Sequence, residues 1–248
     1  MENQDQDRLN SERTETLGAD ATEVVSEPRR RRLVRGAAAG MGVLLAVQAK
    51  TALGGGVCQS PSAMISGNTS PRPGDGTQCS GGRSPGFWKQ PQKFQYWGPA
   101  GAVPPTFKPG VIVKECASGV DGLSNDDLLT PGTLVSAVLP GASVPPGTGI
   151  WSVLAFPTSY EAGQLMRHLI AAWLNAGYFT SSAEKYPLTR PQILEMWYAV
   201  RGGGVYCPSS VAPCGADGMT AQDVIDYISG MYDINSTIEN DICKERKK

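Results

Sequence analysis

"TSYEAGQLMRHLIAAWLNAG", residues 158 to 177, is the stretch on which the fold class turns. Thr158 and Glu161 have the spacing of a capping box, in which the two side chains satisfy free backbone N–H groups at a helix start. Leu165, Leu169, Ala172, Trp173 and Ala176 then recur at helical spacing as one apolar face, and Gly177 offers a stop. Along the edge of that face Glu161, His168 and Asn175 recur every seventh residue and draw a polar seam. Thr189 to Gln192 is a second box, ahead of "ILEMWYAV". Thr220 to Asp223 is a third, ahead of "AQDVIDYIS", with Gly230 as its stop. Thr130-Pro131 reads as an N-cap and first-turn proline for "GTLVSAVL". Capped helices joined by long Gly/Pro-rich loops predict a small, mainly α domain, with disulfides to support it.

Working outward, residues 1–49 read as an export signal segment. A polar stretch runs into "RRRR" and then into Gly/Ala/Leu-rich "GAAAGMGVLLAVQA". The apolar run from Gly36 to Ala49 has 14 residues, short of the roughly 20 that a membrane-spanning helix needs. The mature chain is therefore expected to have no stable transmembrane span. "VQA" before Lys50 suits cleavage, and Arg30-Arg31-Arg32-Leu33-Val34 resembles the twin-arginine export consensus, with an ordinary secretory signal as the alternative. The export machinery is the first expected partner. Residues 50–82 are Gly/Ser/Pro-rich and read as an irregular arm, and residues 83–248 as a single domain.

Cys58, Cys79, Cys116, Cys207, Cys214 and Cys243 all lie beyond the cleavage point and are even in number, which fits an oxidising destination: periplasm, cell surface or exterior. Cys207 and Cys214 are close enough to close a local loop. Residues 1–49 hold 7 of the 22 basic and 8 of the 23 acidic residues, which leaves 15 of each in the mature part. A net charge near zero argues against nucleic acid as a partner.

The enzymatic pattern nearest to hand is Gly82-Arg83-Ser84-Pro85-Gly86, which has the G-x-S-x-G form of a nucleophile elbow. The residue after the serine should donate its N–H to an oxyanion, and Pro85 has none. A hydrolase centred on Ser84 and His168 is thus the weakest alternative. His168 is the single histidine, and seam members one heptad apart rise about 10.5 Å along a helix, too far to share one metal ion. Asp217 to Asp223 resembles the later half of a calcium loop, but Pro213 and Gly215 stand where oxygen ligands belong. No metal and no cofactor is expected, and no catalytic residue is assigned.

"CSGGRSPGFWKQPQKFQYWG", residues 79 to 98, concentrates aromatic residues in a stretch with little helix or strand period. Its "SPGFWK" at 84 to 89, taken with "RHLIAAWLNA" at 167 to 176, resembles a group of bacterial exported and surface-associated proteins. In that group a T/S-P-G-F/Y-W-K-type loop precedes a helix with the pattern H-L-x-A-A-x-L-N. The resemblance covers residues 79 to 200, implies export and kinship of fold, and supplies no catalytic residues. Gln90-Pro91 stands where the group commonly has asparagine and histidine. One reading makes Gly86, Phe87, Trp88 and Lys89 a structural clamp whose backbone is bonded by His168 and Asn175 of the seam. The other makes Trp88, Tyr96 and Trp97 an exposed stacking platform for a carbohydrate or other envelope or extracellular polymer. The leading functional expectation is an exported, non-catalytic structural or binding protein of the bacterial envelope or exterior.

Overall fold

The apolar run of the 158–177 stretch becomes a 16-residue helix, Gly163–Tyr178. In this computed structural model, which describes residues 60–65, 80–113, 120, 122–181, 184–214, 218–234, 236 and 238, it is the central element. Leu165, Met166, Leu169, Ile170, Ala171, Ala172, Leu174 and Asn175 are all buried, and Gln164 alone among its residues is exposed. The expected single apolar stripe is therefore too narrow: neighbours cover the helix on nearly every side. Its start also differs from expectation. Thr158 lies in a 3₁₀ turn, Pro157–Ser159, and Ala162 takes a left-handed conformation with φ of 52° before the helix begins. Gly163 packs so closely on Pro157 that a Cβ there would sit 1.8 Å from the carbonyl oxygen. That contact delays the helix past Thr158 and leaves Glu161 exposed outside it. Gly177 lies inside the last turn, where the carbonyl of Ala100 approaches a would-be Cβ to 2.3 Å; it admits a neighbour rather than ending the helix.

In chain order the helices are α1 (Pro61–Ile65), α2 (Pro85–Trp88), α3 (Val135–Val138), α4 (Ile150–Ala155), α5 (Gly163–Tyr178), α6 (Arg190–Val200) and α7 (Ala221–Ser229). The strands are short: β1 (Thr106–Phe107) pairs antiparallel with β2 (Leu128–Thr130), and β3 (Thr180–Ser181) with β4 (Glu184–Lys185). The protein is mainly α with few strands. Thr130 closes β2 instead of capping a helix, and α3 starts only at Val135. Gly132, at φ of +67°, brings the chain within 2.4 Å of the Val103 carbonyl for a would-be Cβ, so the Pro131-Gly132 segment is a turn pinned against its neighbour. The two later capping boxes do form: Thr189 with Gln192 opens α6, and Thr220 with Asp223 opens α7.

α4, α6 and α7 all pack against α5, as does α2. The aromatic stretch is more regular than its letters imply, because Pro85 and Pro91 each start a short helical turn, α2 and the 3₁₀ helix Pro91–Tyr96. Within the arm, Pro61–Ile65 is helical, and Ser80, Gly81 and Gly82 are buried parts of the body. Cys207 and Cys214 form a disulfide with Cα atoms 5.7 Å apart; closing so short a loop contributes about 2.5 kcal/mol in the chain-entropy view. Cys58, Cys79, Cys116 and Cys243, like residues 1–49, lie outside the described residues. Among the described residues no helix is long and apolar enough to cross a membrane.

The reciprocal box at α6 yields a test. Thr189→Ala removes the acceptor for the Gln192 N–H and should cost about 1 kcal/mol, read as a lower denaturation midpoint with an unchanged slope.

Candidate functional site

The site is assembled where the chain just before α2 meets α5. Gly81 and Gly82 are the means of approach: a Cβ on Gly81 would lie 1.6 Å from the Met231 carbonyl oxygen, and one on Gly82, at φ of +70°, would lie 2.3 Å from the Asn175 side-chain carbon. With no side chains in the way, Gly81 N–H donates to Ile234 O at 2.8 Å and Asp233 N–H to Gly82 O at 2.9 Å. Arg83 follows, buried, with Nη1 2.8 Å from Asp233 Oδ1.

Asn175 occupies the centre and is fully buried. Its Oδ1 accepts from Arg83 N–H at 2.8 Å and from Trp88 Nε1–H at 2.9 Å, while its Nδ2 donates to Arg83 O at 2.9 Å. One primary amide thereby pairs both backbone groups of Arg83, as a neighbouring strand would, and also fixes the indole. The remaining anchors repeat the device. Trp97 Nε1–H donates to Trp88 O, Trp151 Nε1–H to Lys89 O, and Trp197 Nε1–H to Pro140 O, at 3.1, 2.8 and 2.9 Å. Trp88, Trp97 and Trp151 are completely buried. Phe87 stands edge-on to Trp88, with the Arg83 guanidinium 5.3 Å and the Lys93 ammonium 5.0 Å from its ring centroid.

These positions separate the expected members of the site. Trp88 and Trp97 have no exposed surface and Tyr96 is only partly exposed, so they form no open platform; the backbone turn they support would otherwise leave its polar groups without partners. Gly86 needs no special space, since a Cβ there would meet only Ser84 Oγ at 3.5 Å. The heptad seam is divided. Asn175 bonds the α2 segment, Glu161 lies exposed outside the helix, and His168 faces elsewhere, with Nδ1 2.9 Å from Tyr232 Oη and its ring stacked on that phenol. His168 was expected to bond the loop backbone; the two-turn rise from Asn175 instead carries it to the turn after α7. Ser84 sits at the N-cap of α2 and accepts the Phe87 and Trp88 N–H groups on its carbonyl. No described bond joins it to His168, whose Nδ1 is engaged by Tyr232. Tyr232, Gly81 and Asp233 are partners that the sequence reading missed, and a hydrophobic-to-polar count gives no signal for them.

No protein-family model, curated protein or solved structure matches this chain.

Burial lowers the pKa of His168 below 6.5, with repulsion from Arg167 adding to the effect and Asp226 opposing it. Burial raises that of Tyr232 well above 10, so the phenol keeps its proton beside Nδ1. His168 therefore takes up protons less readily folded than unfolded, and its contribution to stability is complete above the ordinary histidine pKa. That contribution is lost as pH falls through the lowered value. Urea midpoints measured from about pH 7.5 to 5 should fall for the natural chain more steeply than for His168→Gln. Parallel curves would show that His168 does not titrate differently on folding.

Asn175→Ala strands Arg83 N–H, Arg83 O and the Trp88 indole N–H in the interior and should destabilise by about 3 kcal/mol or more, at about 1 to 3 kcal/mol for each buried group left unpaired. Trp88→Phe removes one of the same bonds, so the double variant should fall short of the sum by at least about 0.5 kcal/mol. Denaturant melts of the single and double variants provide the check, and strict additivity would contradict a shared node.

Proposed function

We propose that this chain is exported and that its mature part is a non-catalytic structural or binding component of the bacterial envelope or exterior. The observation that carries the reading is the Cys207–Cys214 disulfide, a bond that persists in oxidising compartments, in a chain whose first 49 residues have the order of an export signal. The "SPGFWK" and "RHLIAAWLNA" resemblance points the same way. Further support comes from how the conspicuous residues are used: Trp88, Asn175 and Arg83 are consumed in holding a non-repetitive segment to a helix, and His168 is engaged by a phenol. An envelope or extracellular polymer is the partner class that fits such a body, met through a surface other than Trp88 and Trp97.

Intact-mass measurement on protein from the native envelope or culture fluid tests export. The expected chain lacks about the first 49 residues and carries a Cys207–Cys214 link in unreduced peptide maps. A cytoplasmic chain still beginning at Met1, with free thiols at both positions, would overturn the reading. Arg30→Lys combined with Arg31→Lys should block export if the twin-arginine route is used, and normal export of that variant assigns the general secretory route.

A further inference from the structure

A groove of 290 Å³ lies beside the end of α5, the β3–β4 hairpin and the start of α6. That is close to the lower end of the size range of small-molecule sites, about 300 Å³. Its lining is apolar at Ala176, Phe179 and Leu188 and cationic at Lys185 and Arg190, with no acidic residue among the described lining.

Arg190 is the unusual member. Its guanidinium lies over the Trp173 ring, 3.4 Å from the centroid. Nη2 donates to the Ala100 carbonyl and Nε to the Trp173 carbonyl. Both acceptors are neutral, so the charge is held in place without being balanced. Among the described residues no carboxylate forms an ion pair with it. Burial lowers its pKa from the ordinary value, which reports a cation partly stripped of water; a guanidinium stays charged all the same. A partly desolvated cation without a counter-ion is costly, and the cost falls when an anion arrives. Lys185, exposed and lining the same groove, adds a second positive charge to it.

We propose that this groove binds a small organic carboxylate, with the carboxylate on Arg190 and Lys185 and the apolar body of the ligand against Phe179 and Leu188. The assignment does not depend on export, because it rests only on the groove.

Sodium benzoate, titrated into the isotope-labelled full chain, is the probe, and the Trp173 indole and the Thr180 and Lys185 amide resonances are the readout. Saturable shifts with a Kd of about 1 mM or tighter are expected for so small a ligand. The neutral isostere benzamide should give none. Lys185→Glu, which replaces attraction by repulsion at an exposed position, should weaken benzoate about tenfold or more. Because Arg190 also ties α6 to Ala100, the Lys185 variant carries the test if Arg190→Gln does not fold. Non-saturating shifts, equal binding of benzamide, or unchanged affinity in Lys185→Glu would each overturn the proposal. Sodium sulfate acting at the same resonances with equal affinity would overturn the apolar part of the site.

Discussion

The amide of Asn175 takes the place of a missing strand. Backbone groups that leave regular structure and enter the interior must find partners, and among the described residues no strand pairs with the segment from Gly81 to Trp88 to supply them. A single side chain, rigidly placed one turn from the end of α5, supplies an acceptor and a donor to Arg83 and an acceptor to Trp88. Asparagine is suited to this because its oxygen and nitrogen reproduce the spacing of a peptide group, whereas aspartate would lack the donor. The approach works only because Gly82 offers no side chain to collide with it.

The indole N–H groups extend the same logic. A tryptophan buries a large apolar surface and carries one donor that must be satisfied. In this protein four of the five tryptophans aim that donor at an amide or carbonyl oxygen of another element or turn. Each ring fills the core and fastens a turn at once. The fifth, Trp173, serves through its face and its carbonyl, both of which engage Arg190. The cost of aromatics in an irregular stretch is offset by this double use, which explains why residues 79–98 hold so many.

What was readable beforehand follows the range of the interactions concerned. The boxes at Thr189 and Thr220 rest on bonds between residues three apart, and the Cys207–Cys214 loop on a separation of seven. The letters contain all of that information. The box at Thr158 has the same letters and fails, because Gly163 docks on Pro157 and Ala162 turns left-handed to allow it. Thr130-Pro131 fails similarly, captured by pairing with Thr106 and by the close pass of Gly132 beside Val103. The seam placed His168 and Asn175 on one helix edge, yet a heptad step on a helix buried on most sides delivers successive members to different neighbours. Asn175 met the α2 segment and His168 met Tyr232, a partner 64 positions away that no local pattern announces. No pattern in the letters links Lys185 to Arg190; what distinguishes them is a shared groove with no acidic residue among its described lining.

The contact between Gly81-Gly82 and Asp233-Ile234 has a mechanical meaning. Residues about 150 positions apart are joined there by two backbone hydrogen bonds and an ion pair, so a loop of that length is closed at one corner of the described body. A pull applied between Gly81 and Ile234 would be borne first by these few bonds and by Asn175 behind them, while α5 and its packing neighbours would feel little until the corner opened. The corner is thus the weak link under tension, and the helical core is spared from the first response to load.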